Sequence, residues 1–294
     1  DMHAKCGSLA KAREVFDDLP ARDIFSWNAL ISGYVKHGLD AESLRCFAKM
    51  KEESISPDGV TFVCILKACS GMGSMEKGED VHVEMGKHGF IERDIIVGSA
   101  LVDMYAKFGA IEKAQRVFNE LHVRDVVAWS ALIAGYSQLG QIKGVFSMFD
   151  QMITEGIVPT LVTFIALLTA CSHTGLVDEG QVLFTAMNTI YSLTPTHDHY
   201  TCMVDLFSRA GHFDKAVILI ENVECPDRLP LWITLLGSCQ KWVNVALGQH
   251  AFEKSIELDA ECVTAYLCMS NIYAAAGMRW EENRAEKLMM KFGA

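Results

Sequence analysis

The sequence contains no long uninterrupted run of apolar residues. Its richest apolar stretch, 161–171, is short and is broken by Thr163 and Thr169, whereas a membrane-spanning helix needs about 20 predominantly apolar residues. The first seven residues have neither the basic-then-apolar order of a secretory signal nor an Arg-rich amphipathic pattern. The sequence therefore predicts neither a membrane span nor a targeting segment.

Clustered cysteines are also missing. The chain has 10 cysteines but no Cys-x-x-Cys motif, so the spacing expected of a zinc site or of a redox pair is not present. Cys69 and Cys171 are each followed by Ser, and Cys239 lies in a matching apolar frame. This pattern favours reduced cysteines packed as small apolar side chains, with no metal site.

Positive charge is scarce. The chain has 26 basic and 37 acidic residues and a formal net charge of −11, which argues against a protein that binds nucleic acid mainly through phosphates. Any contact with RNA must therefore depend on the bases and on a local basic track.

The sequence shows no complete motif of catalytic residues. His82-Val83-Glu84 matches half of a zinc deaminase motif, but the Pro-Cys-x-x-Cys half is missing. We therefore expect no enzymatic activity, no cofactor and no small-molecule substrate.

An internal repeat is the dominant signal that is present. Residues 1–7 (Asp-Met-His-Ala-Lys-Cys-Gly) return at 103–109 as Asp-Met-Tyr-Ala-Lys-Phe-Gly, and more loosely at 205–211, a spacing of 102 residues. Trp27 and Trp129 obey the same offset. Self-similarity at a fixed period is typical of repeat architectures.

Each part of the repeat predicts two amphipathic helices joined by a Gly-containing turn. The apolar stripe of one helix is formed by Trp27, Leu30, Ile31 and Tyr34, and that of the next by Ala41, Leu44, Phe47 and Met50. A single hairpin cannot bury its stripe alone, so neighbours must stack. The sequence therefore predicts an all-α fold, an α-solenoid of tandem helix-turn-helix repeats.

The units resemble pentatricopeptide repeats of the plant type, in which standard (P), long (L) and short (S) repeats alternate. Residues 23–34, Asp-Ile-Phe-Ser-Trp-Asn-Ala-Leu-Ile-Ser-Gly-Tyr, are similar to the first helix of the standard repeat. Residues 60–82 are similar to the long form and residues 100–107 to the short form. The resemblance covers essentially the whole chain and implies a right-handed superhelix of the PLS subfamily.

The resemblance also implies domain boundaries. It places a repeat array at 1–227 and two degenerate E-type repeats, which are similar to tetratricopeptide repeats, at 228–294. The array then divides into a partial S repeat and two triplets: S 1–23, P 24–58, L 59–94, S 95–125, P 126–160, L 161–196 and S 197–227.

Two departures from the family pattern are visible. Residues 241–244, Lys-Trp-Val-Asn, stand where a Gly turn is expected, and one extra residue precedes Trp232. The sequence stops at Phe292-Gly293-Ala294, so we expect the deaminase-like (DYW) domain of many relatives to be missing. Because residues 1–23 resemble only the remainder of a short repeat, we also expect the array to open within a repeat.

In the family, one base is read by a polar residue of the first helix together with the last residue of the repeat. The resemblance implies uracil for Asn28 with Asp58, guanine for Ser99 with Asp125 and for Thr201 with Asp227, and a purine for Ser130 with Thr160. Val63 and Ile165 occupy this position in the long repeats, and they have no hydrogen-bonding group.

The resemblance further implies side chains that wedge between bases, for which Phe25, Ile96 and Val127 are the candidates and Asp198 is a poor fit. The interpretation requires Asn28, Ser99 and Thr201 to lie along a groove without being sealed beneath their neighbours.

These expectations favour sequence-selective binding of single-stranded organellar RNA. The resemblance is to site-recognition factors of C-to-U editing in mitochondria or chloroplasts, with protein cofactors and a deaminase supplied in trans. The alternative is a protein-binding scaffold similar to tetratricopeptide repeats, which the acidic balance and the residues Glu257-Leu258-Asp259 and Tyr266 support.

Overall fold

Every regular element of the described residues is an α-helix. The computed structural model describes residues 8–223, 227–282 and 285, so the repeated motif at 1–7 and most of 283–294 lie outside the described residues. The chain divides into two compact units, and the boundary falls between Val158 and Pro159. The prediction of an all-α fold is confirmed.

Unit 1 consists of helices that form successive hairpins. They are α1 (Leu9–Asp17), α2 (Ile24–Lys36), α3 (Asp40–Glu52), α4 (Gly59–Gly71), α5 (Met75–Lys87), α6 (Phe90–Arg93), α7 (Ile95–Lys107), α8 (Ile111–Glu120), α9 (Val126–Gln138) and α10 (Ile142–Thr154). The one-turn helix α6 was not predicted.

Unit 2 continues the same alternation. Its helices are α11 (Leu161–Thr174), α12 (Val177–Thr189), α13 (His197–Arg209), α14 (Phe213–Asn222), α15 (Leu229–Trp242), α16 (Val245–Leu258) and α17 (Val263–Ala275). Residues 279–282 are also helical.

Within each unit the first helices of successive hairpins pack side by side. In unit 1, α2 packs on α4, α4 on α7 and α7 on α9, while each second helix packs on its own first helix. In unit 2, α11 packs on α13, α13 on α15 and α15 on α17. The predicted solenoid stacking of hairpins is thus confirmed inside each unit.

Short polar residues begin the first helices of the hairpins from α2 to α13. Each is an N-cap in extended backbone, and together they are Asp23, Asp58, Asp94, Asp125, Thr160 and Thr196. An N-cap oxygen accepts backbone N–H groups that have no partner inside the helix, which contributes about 1 kcal/mol per helix. The residue that the sequence analysis placed last in each of these repeats is the N-cap of the first helix that follows.

Left-handed glycines end most first helices or the turns that follow them. Their φ values lie between 66° and 80°, and in these turns they are Gly38, Gly73, Gly109, Gly140, Gly175, Gly211 and Gly277. At the departure noted in 241–244 the turn still forms, but Val243 adopts φ 50°. A β-branched residue is strained in this conformation.

The predicted stripe of the first helix is the core. Trp27, Leu30, Ile31 and Tyr34 are all buried. The Trp27 ring packs edge-to-face on Phe16, with ring centroids 4.6 Å apart, a geometry that adds about 0.5–1.5 kcal/mol to area burial.

The predicted stripe of the second helix was partly wrong. Ala41 is exposed and Leu44 is only half-buried, whereas Ser43, Cys46, Phe47 and Met50 are buried. Because α3 packs against both α2 and α4, its buried face is centred between these two neighbours and is rotated from the face that the apolar residues alone suggest.

The three cysteines that the sequence singled out lie in the core. Cys69, Cys171 and Cys239 are fully buried and free. Burial raises the pKa of Cys69 to about 11 and that of Cys239 to about 12, so both remain thiols that act as small apolar side chains.

Candidate nucleic-acid interface

The boundary between two hairpins brings together the residues that the sequence paired. Asn28, the fifth residue of α2, donates through Nδ2 to both carboxylate oxygens of Asp58, at 3.0 and 3.1 Å. Asp58 is the N-cap of α4, which packs directly on α2. The predicted pair therefore forms because the capping residue of one first helix reaches back to the helix before it.

Asp58 is held as a carboxylate. Partial burial acts to raise its pKa, but hydrogen bonds from the Thr61 backbone N–H, from Asn28 and from the Thr61 hydroxyl outweigh it and lower the pKa. The Thr61 N–H donates to Asp58 Oδ1 at 2.9 Å. The same side chain thus caps α4 and accepts from Asn28.

The second predicted pair in unit 1 has the same arrangement. The Ser99 hydroxyl on α7 donates to Asp125 Oδ1 at 2.7 Å, and the backbone N–H of Ala128 donates to the same oxygen at 2.9 Å. Asp125 is the N-cap of α9. Its carboxylate again both caps a helix and joins neighbouring first helices.

Asn28 and Ser99 are more buried than we expect of residues that read a base. Asn28 is 9% exposed and Ser99 is 1% exposed, whereas Asp58 and Asp125 are half-exposed. Asn28 keeps a small open edge, but Ser99 is sealed beneath its neighbours, so the expectation that it lies open along a groove was wrong. In this structure the carboxylate is the accessible part of each pair.

The pair predicted in unit 2 is arranged differently. The Thr201 hydroxyl donates its proton to the carbonyl oxygen of His197, at 3.1 Å, and not to Asp227. Asp227 Oδ1 accepts the N–H of Leu229 at 3.2 Å, and Arg228 takes the N-cap position of α15 without a side-chain capping bond. The extra residue before Trp232 has moved the carboxylate one position ahead of the helix.

Ser130 and Thr160 belong to different units. Ser130 is buried on α9, and the backbone N–H of Thr160, the N-cap of α11, donates to Thr163 Oγ1 at 3.1 Å. Their pairing stays a prediction.

Exposed apolar side chains stand three residues before the paired positions. The second residue of each first helix from α2 to α11 is 53–76% exposed: Phe25, Val60, Ile96, Val127 and Val162. Residues three apart share a helix face, so each lies beside the fifth residue of its helix. Val60 and Val162 were missed, although the three-residue offset would have found them.

Cations end several first helices and were also missed. Lys36, Lys107 and Arg209 occupy the same last position of α2, α7 and α13. Lys107 pairs with Asp103 at 2.6 Å and Arg209 with Asp205 at 2.8 Å. A cation is favourable at a helix C-terminus in any protein, so the position by itself has a structural explanation.

The partial deaminase motif takes part in ordinary helix packing. His82 Nδ1 lies 2.8 Å from the Tyr105 hydroxyl, and Glu84 pairs with Lys51 at 2.9 Å. Among the described residues there is no cluster of His, Cys, Asp and Glu that could hold a metal ion. In the same part of the chain no helix has the length and apolar character needed to cross a membrane.

Most of the chain matches family models of one repeat type. The PPR repeat family matches residues 22–71 and 124–173. The PPR repeat itself matches residues 60–90, 99–126, 162–189 and 198–224. Together these matches cover more than half of the chain and include the two paired sites of unit 1.

Curated relatives from Arabidopsis thaliana are similar over nearly the whole chain. Pentatricopeptide repeat-containing protein CRR2, chloroplastic, is 38% identical over 98% of this chain and 44% of its own length. Pentatricopeptide repeat-containing protein At2g03880, mitochondrial, is 37% identical over 96% of this chain and 44% of its own length. The chain spans less than half the length of these relatives.

A solved structure has the same fold. The pentatricopeptide repeat protein PPR10 in complex with an 18-nt psaJ RNA element superposes with a TM-score of 0.77 at 19% identity, over 97% of this chain and 43% of that one. At this level of identity the similarity concerns the fold alone.

Proposed function

This chain belongs to the pentatricopeptide repeat family, and on that premise we propose that it binds single-stranded RNA with selectivity for bases. The observation that carries the proposal is the Asn28–Asp58 pair, which recurs at Ser99–Asp125 with an exposed apolar side chain three residues earlier. A base could stack on the apolar side chain and present its edge to the pair, because unpaired bases in single strands are recognised by stacking and by edge contacts.

The exposed apolar row defines where bases would stack. Phe25 and Ile96 are the strongest candidates by exposure, and Val60 continues the row in unit 1, while Val162 has the same helix position in unit 2. We propose that the long repeats hold a base without selecting it, because Val63 and Ile165 offer no hydrogen-bonding group.

The charge of the chain limits the strength of this interaction. With a net charge of −11, non-specific attraction to phosphates is weak. We propose that Lys36, Lys107 and Arg209, at the ends of first helices, contact the RNA backbone. Each base contact contributes about 1–3 kcal/mol, so affinity depends on how many repeats engage at once.

The finer function that we propose is recognition of an organellar editing site. The paired positions would choose the RNA, and a deaminase bound in trans would carry out the C-to-U reaction. We propose a mitochondrial or chloroplast location, since the relatives described above carry one or the other designation in their names.

A protein-binding role is the second candidate. A cleft of about 290 Å³ in the region 228–294 is lined by Phe252, Ile256, Tyr266, Met269, Tyr273 and Trp280. An apolar cleft of this kind suits a peptide side chain, and it would serve the editing proposal if the partner were a protein cofactor.

A binding selection tests the RNA proposal. The chain is incubated with a fully randomised single-stranded RNA library, and the bound fraction is sequenced. We expect an enriched motif with uracil at one position, and we expect Asn28→Thr to change that position towards guanine while the other positions stay the same.

The matched control is Asn119→Thr, the same exchange at an exposed residue of the second helix α8. It should leave the motif unchanged. No enrichment by the unmodified chain, or an identical motif for Asn28→Thr, would refute the proposal. Enrichment of peptides from a displayed peptide library without any RNA selection would favour the second candidate.

A further inference from the structure

The cleft in the region 228–294 lies where three helices of unit 2 meet. Phe252 comes from α16, Tyr273 comes from α17, and Trp280 and Glu281 come from the helix that begins at Arg279. The Trp280 side chain is 69% exposed. Aromatic side chains are enriched in the surfaces through which proteins bind one another, so the lining of this cleft points to a protein ligand.

Two earlier boundaries of the same kind hold a lysine of the chain itself. Lys113, the third residue of α8, places its Nζ 5.9 Å from the centre of the Tyr105 ring. Lys215, the third residue of α14, places its Nζ 5.7 Å from the centre of the Phe207 ring. An ammonium group over an aromatic face is attracted by the electrons of the ring. Each lysine also donates to the fifth residue of the preceding second helix, and these acceptors are Glu79 and Gln181.

The boundary at the cleft keeps the ring but reverses the charge. Tyr273 is the eleventh residue of α17, as Tyr105 and Phe207 are of α7 and α13. Glu281 is the third residue of its helix, where α8 and α14 have lysine. Gln249, the fifth residue of α16, donates to the Tyr273 hydroxyl at 3.2 Å. Within residues 8–223, 227–282 and 285, no cation lies over the Tyr273 ring and none pairs with Glu281.

We propose that this cleft binds a lysine side chain of a partner protein. The inference rests on the protein-binding role proposed above and does not depend on RNA binding. The ammonium group would lie over Tyr273 and beside Glu281, and Trp280 and Phe252 would contact the apolar stem of the lysine and the residues next to it. The partner thus supplies the cation that the chain supplies itself at α8 and α14.

The chemistry of the cleft selects against other occupants. An aromatic face beside a carboxylate attracts a cation more than a neutral side chain, and apolar walls suit the methylene stem of lysine. Glu281 would repel a phosphate group, so the RNA backbone is not the ligand of this cleft.

Peptide selection tests the inference. A library of random 12-residue peptides displayed on phage is selected against the full chain, and the enriched peptides are synthesised. We expect a lysine with apolar neighbours at one shared position. Norleucine keeps the stem of lysine without its charge, so this exchange in the peptide should weaken binding about 3- to 30-fold, as measured by isothermal titration calorimetry.

Variants of the chain locate the binding site. Glu281→Lys places at the cleft the residue found in α8 and α14, so the lysine peptide should bind no better than the norleucine peptide. The matched control is Glu282→Lys, which makes the same charge change at a side chain that does not line the cleft, and it should keep the preference for lysine.

The ring is tested separately from the charge. Tyr273→Leu should reduce the preference for lysine, whereas Tyr273→Phe should keep it, because Phe207 has the same position below Lys215. If Tyr273→Leu or Glu281→Lys does not fold, as judged by its circular dichroism melting curve, Glu281→Gln takes its place and should reduce the preference by removing the charge alone.

The outcomes separate this inference from the two proposed functions. A chain that enriches no peptide overturns the inference and the protein-binding role, whatever the RNA selection gives. Peptides without a shared lysine, or a norleucine peptide that binds equally well, overturn the inference alone. A preference for lysine that survives in Glu281→Lys also overturns it, because the peptide would then bind elsewhere. Self-association of the chain that Glu281→Lys abolishes, measured by sedimentation equilibrium, would assign the cleft to a second copy and overturn the inference as well.

Discussion

Two hairpin boundaries of unit 1 and the boundary before α15 in unit 2 each have an aspartate near a helix start and a short polar residue on the preceding first helix. The two side chains form a hydrogen bond only in unit 1. In unit 1, Asp58 and Asp125 cap a first helix and accept from the first helix before it. In unit 2, Asp227 precedes the N-cap by one residue, and Thr201 donates to its own helix. A pair between hairpins therefore depends on where the carboxylate stands relative to the helix start.

The order of two residues explains the difference. Asp125 follows Arg124 and stands four residues before Trp129. Asp227 precedes Arg228 and stands five residues before Trp232. Since Trp129 and Trp232 are both buried in the stripe, they fix the rotation of their helices. The aspartate that is one residue farther away stands before the N-cap position, which Arg228 occupies.

The largest expected effect comes from removing a carboxylate that has both roles. Asp58→Ala loses the helix cap, which is the acceptor of the Thr61 N–H, at about 1 kcal/mol. It also leaves the Asn28 amide without its acceptor, at about 1–3 kcal/mol. We expect a total loss of about 2–4 kcal/mol in unit 1, measured by hydrogen exchange of the α4 amides. Asp227→Ala removes the acceptor of the Leu229 N–H and should cost about 1 kcal/mol.

If Asp58→Ala and Asp227→Ala lowered the unfolding free energy equally, the proposed difference between the two boundaries would be wrong. Asp58→Asn is the matched control, because it keeps one oxygen that can cap α4 while it removes the charge and replaces the second accepting oxygen with an NH₂ group. It should fall between Asp58→Ala and the unmodified chain.

The turn between α15 and α16 is the next point of contrast. Val243 occupies the left-handed position that glycine takes in the turns of the other hairpins, at a cost of about 1–2 kcal/mol for a residue with a Cβ atom. Val243→Gly should therefore stabilise unit 2 by about 1 kcal/mol after the added chain entropy of glycine. Thermal unfolding measures the gain, and an unchanged or lower melting temperature would show that Val243 is not strained.

The sequence predicted the repeating hairpins because their apolar stripes and turns recur with one period. It also predicted which residues pair at Asn28–Asp58 and Ser99–Asp125, because the family resemblance aligns them. It could not show that the carboxylates are helix caps or that Ser99 is almost fully buried, since both depend on how closely neighbouring first helices approach. The contact of Thr61 with Asn28 was missed for the same reason, because the two residues lie 33 positions apart.

Exchanging the order of two residues should convert the boundary of unit 2 towards that of unit 1. Asp227→Arg combined with Arg228→Asp restores the Arg-Asp order and places a carboxylate at the N-cap of α15. We expect a gain of about 1 kcal/mol in the unfolding free energy, measured by urea titration. The double exchange keeps the net charge, and Asp227→Arg alone is the control, because it adds the Arg without placing a carboxylate at the N-cap. A double variant that is no more stable than the original chain would contradict the explanation.

The last difference between the boundaries is a histidine at the third position of the first helix α13. His199 stands at the helix position of Thr61, is fully buried, and accepts at Nδ1 from the Thr196 backbone N–H at 3.2 Å. Its Nε2–H donates to the carbonyl oxygen of Leu161 at 3.0 Å. Both ring nitrogens are used by the neutral ring, and a proton added to Nδ1 would break the bond from Thr196.

The smallest expected effect is therefore a pH dependence confined to unit 2. Burial lowers the pKa of His199, although the Leu161 carbonyl and Asp198 oppose the shift. The folded state then binds the proton less readily than the unfolded chain, so the contribution of His199 is fully present above the unfolded pKa of about 6.5. It is lost as the pH falls from there through the lowered folded pKa. His199→Thr, which installs the side chain found at position 61, should flatten the decline in unfolding free energy between about pH 7.5 and about pH 5.5. The same exchange at exposed His173 is the matched control, and a decline that persists unchanged in His199→Thr would show that the acid sensitivity of unit 2 has another origin.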